Sequence, residues 1–203
     1  MIIDLFSGLG GASEAFSQAG WTVIRIETND KLQYVPHTLQ LDVLKWRDWI
    51  DEMPKPDIIW ASPPCRAVSV AFNAPRSIHE RSNWRSVPYT PDMELVQAAM
   101  DIINYLKPTW WVVENVHGSE KYFKPVTGAV RQVIASFYLY GNFPYLPMGE
   151  FSHIKKDAGS QNPLRSNIRA KIPFEISFEL LKNLARSSKN FQWLRFLIGC
   201  CEQ

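Results

Sequence analysis

The first twenty residues constrain the fold most, because they combine a strand, a glycine loop and a helix in that order. Met1–Phe6 is an apolar run typical of a strand, and Ser7–Gly11 follows it with three glycines. A helical stretch extends from about Ala12 to Ala19 and is closed by Gly20. Glycines at this point let the backbone approach a ligand, and the start of a helix supplies free N–H groups. We therefore expect half of a βαβ unit with a ligand-binding loop.

The following hundred residues alternate strand-like and helix-like segments. A helix is predicted to begin at Thr90-Pro91-Asp92, with Thr90 as its N-cap, and to stop at Lys107-Pro108. Further strands are predicted at Trp21–Ile26, Thr38–Leu41, Asp57–Ala61 and Trp110–Val113. This alternation indicates a doubly wound α/β sheet whose ligands lie across the carboxyl ends of the strands.

Two of these strands end in carboxylates. Glu27 follows the second strand, and Asp42 follows the third. An acidic residue at the end of the second strand of such a unit commonly accepts hydrogen bonds from ribose hydroxyls. The alternative for Glu27 is a solvated loop carboxylate, although two carboxylates at one edge of the sheet favour a binding site.

The fourth strand leads into Ser62-Pro63-Pro64-Cys65. The two prolines fix φ and lack backbone donors, so they favour a rigid, extended backbone. A cysteine at the end of such a segment is held out from the sheet edge, as a nucleophile would be, whereas a buried structural cysteine is the alternative. Glu114 follows the fifth strand, so we expect it to emerge at the same edge as Cys65.

The segment from Arg66 to Ser86 shows no clear apolar periodicity and carries a local excess of positive charge. Its basic residues are Arg66, Arg76, Arg81 and Arg85, opposed only by Glu80. A basic loop beside a candidate nucleophile fits a phosphate-bearing substrate, and it equally fits an ordinary solvated loop.

The second half of the chain is less regular. A helical stretch is predicted within Tyr122–Ser136, and a strand or hairpin within Phe137–Pro147. Ser152–Asn167 is polar and is predicted to be a loop, whereas Ile172–Ala185 has the apolar spacing of a helix. Lys189–Gln203 is compatible with a strand or a helix.

Composition sets wide limits. We expect one domain over the 203 residues, and the net charge of +2 does not by itself imply a nucleic-acid partner. No run of apolar residues is long enough to span a membrane, and the N-terminus does not resemble a signal peptide. The three cysteines form no disulfide framework, which favours the cytoplasm. The four histidines lack metal-ligand spacing, so we expect no metal.

Three motifs occur in a specific order over residues 1 to about 120. They are Asp4–Gly11 (DLFSGLGG), Ser62–Cys65 (SPPC) and Glu114–Val116 (ENV). In their order and spacing the sequence resembles the cytosine carbon-5 DNA methyltransferase family. The resemblance implies the class I methyltransferase sheet, which is Rossmann-like and mostly parallel, with one antiparallel strand near an edge.

The resemblance also implies residue roles. Cys65 would attack carbon 6 of cytosine, Glu114 would contact ring nitrogen 3 and the exocyclic amine, and S-adenosylmethionine would supply the methyl group. The nearest match to the family's Gln-x-Arg-x-Arg motif lies between Gln161 and Arg169, so either Arg165 or Arg169 would contact the substrate. The residues that the resemblance assigns to the cofactor are Phe6, Ser7, Gly8, Leu9, Gly10, Gly11, Glu27, Thr28, Asp42, Val43 and Pro64.

One departure from the family pattern bears on the substrate. The family's last motif is loosely echoed by Arg169–Pro173, which nearly abuts the arginine motif and leaves no room for a separate target-recognition domain. We therefore expect DNA as the substrate, with a flipped or single-stranded cytosine, and either weak sequence preference or recognition supplied by a protein partner. A role in restriction-modification and a role in viral DNA modification both remain open.

Three alternatives remain. RNA or a cytidine nucleotide would suit the same chemistry. An amino-group methyltransferase would share the fold, but Cys65 and Glu114 argue against that class. A non-catalytic or partner-dependent subunit that binds S-adenosylmethionine is the third.

Overall fold

The computed structural model describes residues 1–71, 73–82, 87–153 and 161–187. These residues form a seven-stranded sheet with helices packed against it. The strands are β1 (Ile2–Leu5), β2 (Val23–Glu27), β3 (Thr38–Gln40), β4 (Ile58–Ala61), β5 (Trp110–Asn115), β6 (Val130–Ile134) and β7 (Phe137–Asn142). The helices are α1 (Glu14–Gln18), α2 (Pro75–Arg81), α3 (Glu94–Leu106), α4 (Glu120–Thr127), α5 (Arg165–Ala170) and α6 (Phe174–Ser187).

The strand order across the sheet is β3-β2-β1-β4-β5-β7-β6. The first five strands in this order run parallel, and β7 is antiparallel to both of its neighbours. The predicted doubly wound, mostly parallel sheet is therefore confirmed, including one antiparallel strand next to an edge. The strand order reverses between β1 and β4, and such folds bind ligands beside that point, at the carboxyl ends of the strands.

The central strands β1 and β4 are covered on both faces, and they are apolar except for Asp4. All residues of β1 and β4 are buried, as expected for parallel strands between two helical layers. Ile2 and Trp60 pack on the face that α1 and α6 cover. Ile3 and Ile59 pack on the opposite face, against α3.

The long helix α3 has the predicted end but a later start. Lys107 adopts a left-handed conformation (φ 47°), which ends the helix at Leu106 as the sequence predicts. The helix begins at Glu94 rather than at Thr90-Pro91-Asp92, so that prediction is wrong by about three residues. The reason is local. The Asp92 carboxylate accepts a hydrogen bond from the Glu94 N–H (2.9 Å), so this donor of the first turn is satisfied by a residue that precedes the helix.

The helix predicted within Tyr122–Ser136 is wrong in its second half. Helix α4 ends at Thr127, where Gly128 has a φ of 84°, and Val130–Ile134 forms β6 instead. The apolar residues of this segment suit a helix and a strand about equally. Pairing of β6 with the antiparallel β7 decides between them, as long-range contacts often override local preference. The strand or hairpin predicted at Phe137–Pro147 is confirmed as β7.

Two other segments differ from the sequence prediction. The aperiodic basic segment contains α2, and the predicted loop at Ser152–Asn167 ends early because α5 begins at Arg165. Both helices are short, so their apolar positions leave little periodic signal. The C-terminal helix is confirmed as α6, and the prediction for Lys189–Gln203 lies outside the described residues. No helix in the described part of the chain is long and apolar enough to cross a membrane.

Candidate active site

A cavity of about 800 Å³ lies along the carboxyl edge of the sheet. It is bounded by residues that follow β1, β2, β3, β4 and β5, and by the segment from α5 to the start of α6. The predicted site residues that line it are Phe6, Ser7, Gly8, Leu9, Gly11, Glu27, Thr28, Asp42, Val43, Pro64, Cys65, Glu114 and Arg169. Gly10 and Arg165 are not among its lining residues.

The glycine loop turns sharply between β1 and α1. Phe6, Gly8 and Gly10 all have positive φ values (58°, 53° and 72°), a conformation that costs a non-glycine residue such as Phe6 some strain. Ser7 lies between them and lines the cavity. Its hydroxyl is buried and has no hydrogen-bond partner among the described residues. A buried polar atom of this kind calls for a partner, which a bound ligand would provide.

A buried polar network supports this loop from below. Asp4 accepts a hydrogen bond from the Ser13 hydroxyl (2.7 Å), and the Arg25 Nε donates to the same hydroxyl (2.8 Å). A second Arg25 nitrogen donates to the carbonyl of Pro36 (2.6 Å), so one side chain joins the glycine loop to the segment before β3. Gly10 has no room for a side chain, because a Cβ atom there would lie 2.5 Å from Arg25 Nε.

Burial raises the pKa of Asp4 to about 7, although the Ser13 hydrogen bond and the Arg25 charge oppose that rise. The folded protein therefore keeps the Asp4 proton in a range of pH where the unfolded chain has lost it. Stability that comes from this proton is complete below about pH 4 and is lost as the pH rises through about 7.

We expect Asp4→Asn to reveal this dependence. The variant lacks the titrating group, so the free energy of unfolding of the wild type should fall relative to the variant between about pH 4 and 7. The fall should be of the order of a few kcal/mol, levelling off at higher pH. Urea unfolding of both proteins at several pH values measures the difference. If instead the free energy of unfolding of the wild type rises relative to that of the variant as the pH increases, Asp4 is stabilised as a carboxylate beside Arg25.

Glu27 is fixed at the end of β2 by three backbone groups. Its carboxylate accepts hydrogen bonds from the N–H groups of Gly8, Thr28 and Asn29, each at 2.9 Å. The carboxylate thus joins the end of β2 to the glycine loop. Farther along the same edge, the Asp42 carboxylate accepts from the Leu44 N–H (2.9 Å). Both carboxylates are therefore held at the edge of the sheet, beside the cavity.

Cys65 begins a short helical turn directly after the two prolines. Its thiol is half-buried, and its carbonyl accepts hydrogen bonds from the Val68 and Ser69 N–H groups (3.1 and 2.8 Å). The Pro63-Pro64 segment before Cys65 is fixed to β5, because the buried Asn115 side chain donates a hydrogen bond to the Pro63 carbonyl (2.8 Å). The position of Cys65 is thus set by contacts on both sides of it.

Glu114 lies near the end of β5 and is 8% exposed. Because β4 and β5 are paired with Ala61 opposite Val113, Glu114 lies just beyond that pair, on the side from which the Cys65 segment leaves β4. Cys65 and Glu114 line the same cavity as the glycine loop. The structure thus brings together a thiol, a buried carboxyl group and a loop suited to a nucleotide-like ligand.

The arginines of the basic segment take different positions. Arg66 lines the cavity, whereas Arg76 is engaged with protein groups, including an ion pair with Glu80 (2.8 Å). Arg81 closes α2. Arg85 lies outside the described residues. A phosphate-binding role is therefore not supported for Arg76, and so not for all four arginines of the segment together.

The two arginines predicted to contact substrate are separated by the structure. Arg165 is exposed and lines a second cavity of about 440 Å³, whereas Arg169 is half-buried and lines both cavities. The roles assigned to them stay predictions.

The segment that follows α5 covers the glycine loop. A Cβ atom on Gly11 would overlap the Ile172 carbonyl oxygen, so the two backbones are in contact. Lys171 forms an ion pair with Glu14 (2.7 Å), and Ser177 accepts a hydrogen bond from the Ala15 N–H (2.9 Å). The C-terminal part of the chain therefore forms one wall of the cavity.

Sequence reasoning missed several residues of the cavity wall. Ser136, in the turn between β6 and β7, and Phe137, the first residue of β7, line the cavity, and the Ser136 hydroxyl is buried without a partner among the described residues. Asn167 lies 3.7 Å from the position of a Cβ on Gly8. The hairpin could not be found because its first strand was interpreted as helix, and Asn167 carries no signal in the sequence. Among the described residues, no group of three or more His, Cys, Asp and Glu could hold a metal ion.

The sheet order, the reversed β7 and the glycine loop after β1 define a class I methyltransferase fold. The sequence pattern of the family described as C-5 cytosine-specific DNA methylase matches residues 1–136. The chain belongs to this family.

Three relatives illustrate the similarity. The "Probable DNA (cytosine-5)-methyltransferase" of Frog virus 3 is 32% identical over 68% of this chain and 60% of its own length. The type II methyltransferase M.FnuDI of Fusobacterium nucleatum is 29% identical over 67% of this chain and 37% of its own length. A solved structure, provisionally described as a DNA modification methyltransferase of an E. coli prophage, covers 70% of this chain and 46% of its own, with 22% identity and a TM-score of 0.41.

The chain thus matches at most about three fifths of the length of these relatives. The matched part includes Cys65 and Glu114, whereas α5 and α6 lie beyond the family match.

Proposed function

We propose that the protein transfers a methyl group from S-adenosylmethionine to carbon 5 of cytosine in DNA, in the cytoplasm, through covalent attack of Cys65 on carbon 6. The observation that carries the proposal is the shared cavity, in which the Cys65 thiol and the buried Glu114 lie with the glycine loop. Membership of the C-5 cytosine-specific DNA methylase family supports the same chemistry.

The residues present fit the cofactor. When bound, S-adenosylmethionine supplies an electrophilic methyl group. Glu27, at the end of β2, would accept hydrogen bonds from the ribose hydroxyls, and Asp42, which follows β3 one strand farther out, would hold the adenine. The Ser7 hydroxyl, which has no partner among the described residues, would supply a donor in the cavity that Cys65 also lines. The remaining assigned residues, Phe6, Leu9, Thr28, Val43 and Pro64, supply walls.

Cys65 and Glu114 have different roles toward the cytosine base. Carbon 5 of cytosine is a weak nucleophile. A bond from the Cys65 sulfur to carbon 6 moves the electrons of the carbon 5–carbon 6 double bond so that carbon 5 can attack. Glu114, held in a buried position, contacts nitrogen 3 and the exocyclic amine and offsets the charge that develops there. Loss of the carbon 5 proton then expels the Cys65 thiolate.

The substrate and the domain organisation belong to the same proposal. We propose that residues 1–203 form one catalytic domain and hold no separate recognition domain among them, so that DNA recognition by these residues is weak or depends on a protein partner. The target cytosine would be single-stranded or flipped out of the duplex, because carbon 6 is not accessible to a thiol within the stack.

The decisive experiment is transfer of a labelled methyl group from S-adenosylmethionine. Duplex DNA, single-stranded DNA, RNA and cytidine nucleotides serve as separate acceptors. Label at cytosine carbon 5 of DNA is the expected result. Label in RNA or nucleotide alone would change the substrate class. No label in any acceptor, with the cofactor bound, would favour the non-catalytic or partner-dependent subunit.

For Glu27→Ala we expect weaker cofactor binding, because the variant removes a charged acceptor and loosens the glycine loop. Charge-assisted hydrogen bonds of about 1.5–3 kcal/mol correspond to a rise in Kd of about tenfold to a hundredfold. Calorimetry with S-adenosylmethionine measures the Kd, and Glu52→Ala, at an exposed carboxylate away from the cavity, is the control. An unchanged Kd would show that Glu27 does not bind the ribose.

A further inference from the structure

Backbone carbonyls on both sides of Cys65 are held by side chains from elsewhere in the chain. Before the cysteine, the Pro63 carbonyl accepts from Asn115, which belongs to one of the motifs found in the sequence. After it, the Ala67 carbonyl accepts from the Tyr89 hydroxyl (2.8 Å), and the Val68 carbonyl lies 3.5 Å from an Arg76 nitrogen. The contacts that follow Cys65 involve residues outside those motifs.

Arg76 joins two loops that meet at the active site. The same nitrogen donates to the Gly118 carbonyl (3.1 Å), in the segment that links β5 and Glu114 to α4. Its Nε donates to Glu80 (2.8 Å), and its guanidinium carbon lies 5.4 Å from the centre of the Tyr122 ring on α4. Only 18% of the side chain is exposed, so little of it is available to a ligand.

The two loops also touch directly. Val68 is buried, and a Cβ atom on Gly118 would overlap the Val68 carbonyl oxygen. Glycine is therefore required at 118 by close backbone approach. The Arg76 guanidinium lies beside this contact, 3.2 Å from the same Cβ position.

Tyr89 reaches the turn after Cys65 from the other end of the basic segment. Its ring packs edge-on against Tyr122, with ring centres 6.3 Å apart, and lies 5.5 Å from the ring of His79 on α2. The hydroxyl is thereby directed at the Ala67 carbonyl by rings on two helices. Arg76 and Tyr89 thus share Tyr122 as a common support.

We propose that Arg76 and Tyr89 are positioning residues, here called the loop clamp, that hold the turn at Cys65–Ser69 so that the thiol faces carbon 6 of the cytosine. The inference rests on the proposed function and deepens it. Nucleophilic attack requires the reacting atoms to meet at about 3–3.5 Å, and a displacement of about 1 Å can cost a hundredfold in rate. The clamp therefore acts on the rate of attack, whereas a phosphate-binding Arg76 would act on DNA affinity.

Four variants separate these roles. Tyr89→Phe removes a single hydroxyl, and Arg76→Met removes the donors while keeping much of the side chain's bulk. Tyr105→Phe, at an exposed tyrosine whose hydroxyl contacts Asp51, and Glu80→Gln, which removes the exposed charge beside Arg76 but keeps an oxygen that can accept from its Nε, are the matched controls. Both controls should behave as the wild type in every measurement.

We expect Tyr89→Phe and Arg76→Met to lower kcat by about tenfold to a hundredfold, with KM for DNA and Kd for S-adenosylmethionine within about twofold of the wild type. Covalent trapping on DNA that contains 5-fluorocytosine should slow by the same factor. Arg76→Lys, which keeps one donor group, should recover part of the rate. A wild-type kcat in both clamp variants would overturn the proposal.

The phosphate-binding alternative has its own signature. If Arg76 contacts a DNA phosphate, Arg76→Met would raise KM and lower the slope of log affinity against log salt by about one, while leaving kcat unchanged. Tyr89→Phe would not alter that slope. This result would also overturn the clamp.

The clamp can also be tested by a measurement that needs no substrate. Such a measurement shows whether the clamp exists even if the proposed function is wrong. The Val68 and Ser69 amides donate to the Cys65 carbonyl, so their hydrogen exchange reports the order of the turn directly. We expect exchange at both amides to speed up in the clamp variants relative to the controls. Unchanged exchange would refute the clamp even if the wild type proves inactive on every acceptor.

Discussion

Cys65→Ala is expected to abolish methyl transfer and to leave binding of S-adenosylmethionine intact. The thiol is the only protein group in the proposal that forms a bond to the base, so its loss should lower the rate by about 10⁴-fold or more. Cys65 begins its turn through backbone hydrogen bonds, which alanine can also make. The variant should therefore fold and bind the cofactor normally.

The matched measurement is label transfer to DNA alongside covalent trapping on 5-fluorocytosine DNA. Variants at the other two thiols, Cys200→Ala and Cys201→Ala, are the controls and should retain trapping. Turnover that survives in Cys65→Ala would rule out the covalent mechanism. Loss of cofactor binding together with activity would show instead that the substitution disturbs the whole carboxyl edge.

Gly11→Ala should weaken both the fold and cofactor binding. Its Cβ would overlap the Ile172 carbonyl oxygen and lie 2.9 Å from the Ile172 nitrogen, and backbone atoms cannot rotate away as a side chain can. Either the glycine loop or the segment before α6 must move. We expect a loss of about 1–3 kcal/mol in the free energy of unfolding and at least a tenfold rise in Kd for S-adenosylmethionine.

Gly20→Ala is the control for this prediction. Gly20 also has a positive φ (76°), but a Cβ there meets nothing within 4 Å. Alanine at 20 should cost only the backbone strain, about 1–2 kcal/mol, and leave the Kd unchanged. Urea unfolding and calorimetry on both variants provide the comparison. A Gly11→Ala variant with the wild-type Kd would show that the wall at Ile172 is not required for the cofactor site.

The part of the site that the sequence predicts is the part built from strand ends. Glu27 and Glu114 lie at the ends of β2 and β5, Cys65 follows β4, and parallel strands place their carboxyl ends at one edge. Local pattern therefore suffices to bring these residues together. The family's characteristic motifs identify the chemistry.

The part that the sequence does not predict depends on distant contacts. Arg25 lies in a strand, and nothing local indicates that it turns under the glycine loop to reach Ser13. Arg76 belongs to a segment without periodicity, where its charge suggested a phosphate. Besides its local partners Glu80 and Val68, it contacts Gly118 and Tyr122, which lie some forty residues away.

The contact between Gly11 and Ile172 has a consequence for the order in which the site can form during synthesis. The glycine loop is synthesised well before its cover, because Ile172, the Lys171–Glu14 ion pair and the Ser177 hydrogen bond arrive only with the segment that leads into α6 and with α6 itself. A nascent chain that ends at the last residue of the family match would carry the nucleophile without a closed cofactor cavity. We therefore expect a fragment of residues 1–136 to bind S-adenosylmethionine poorly, and cofactor binding to begin only once nearly the whole described chain has been translated.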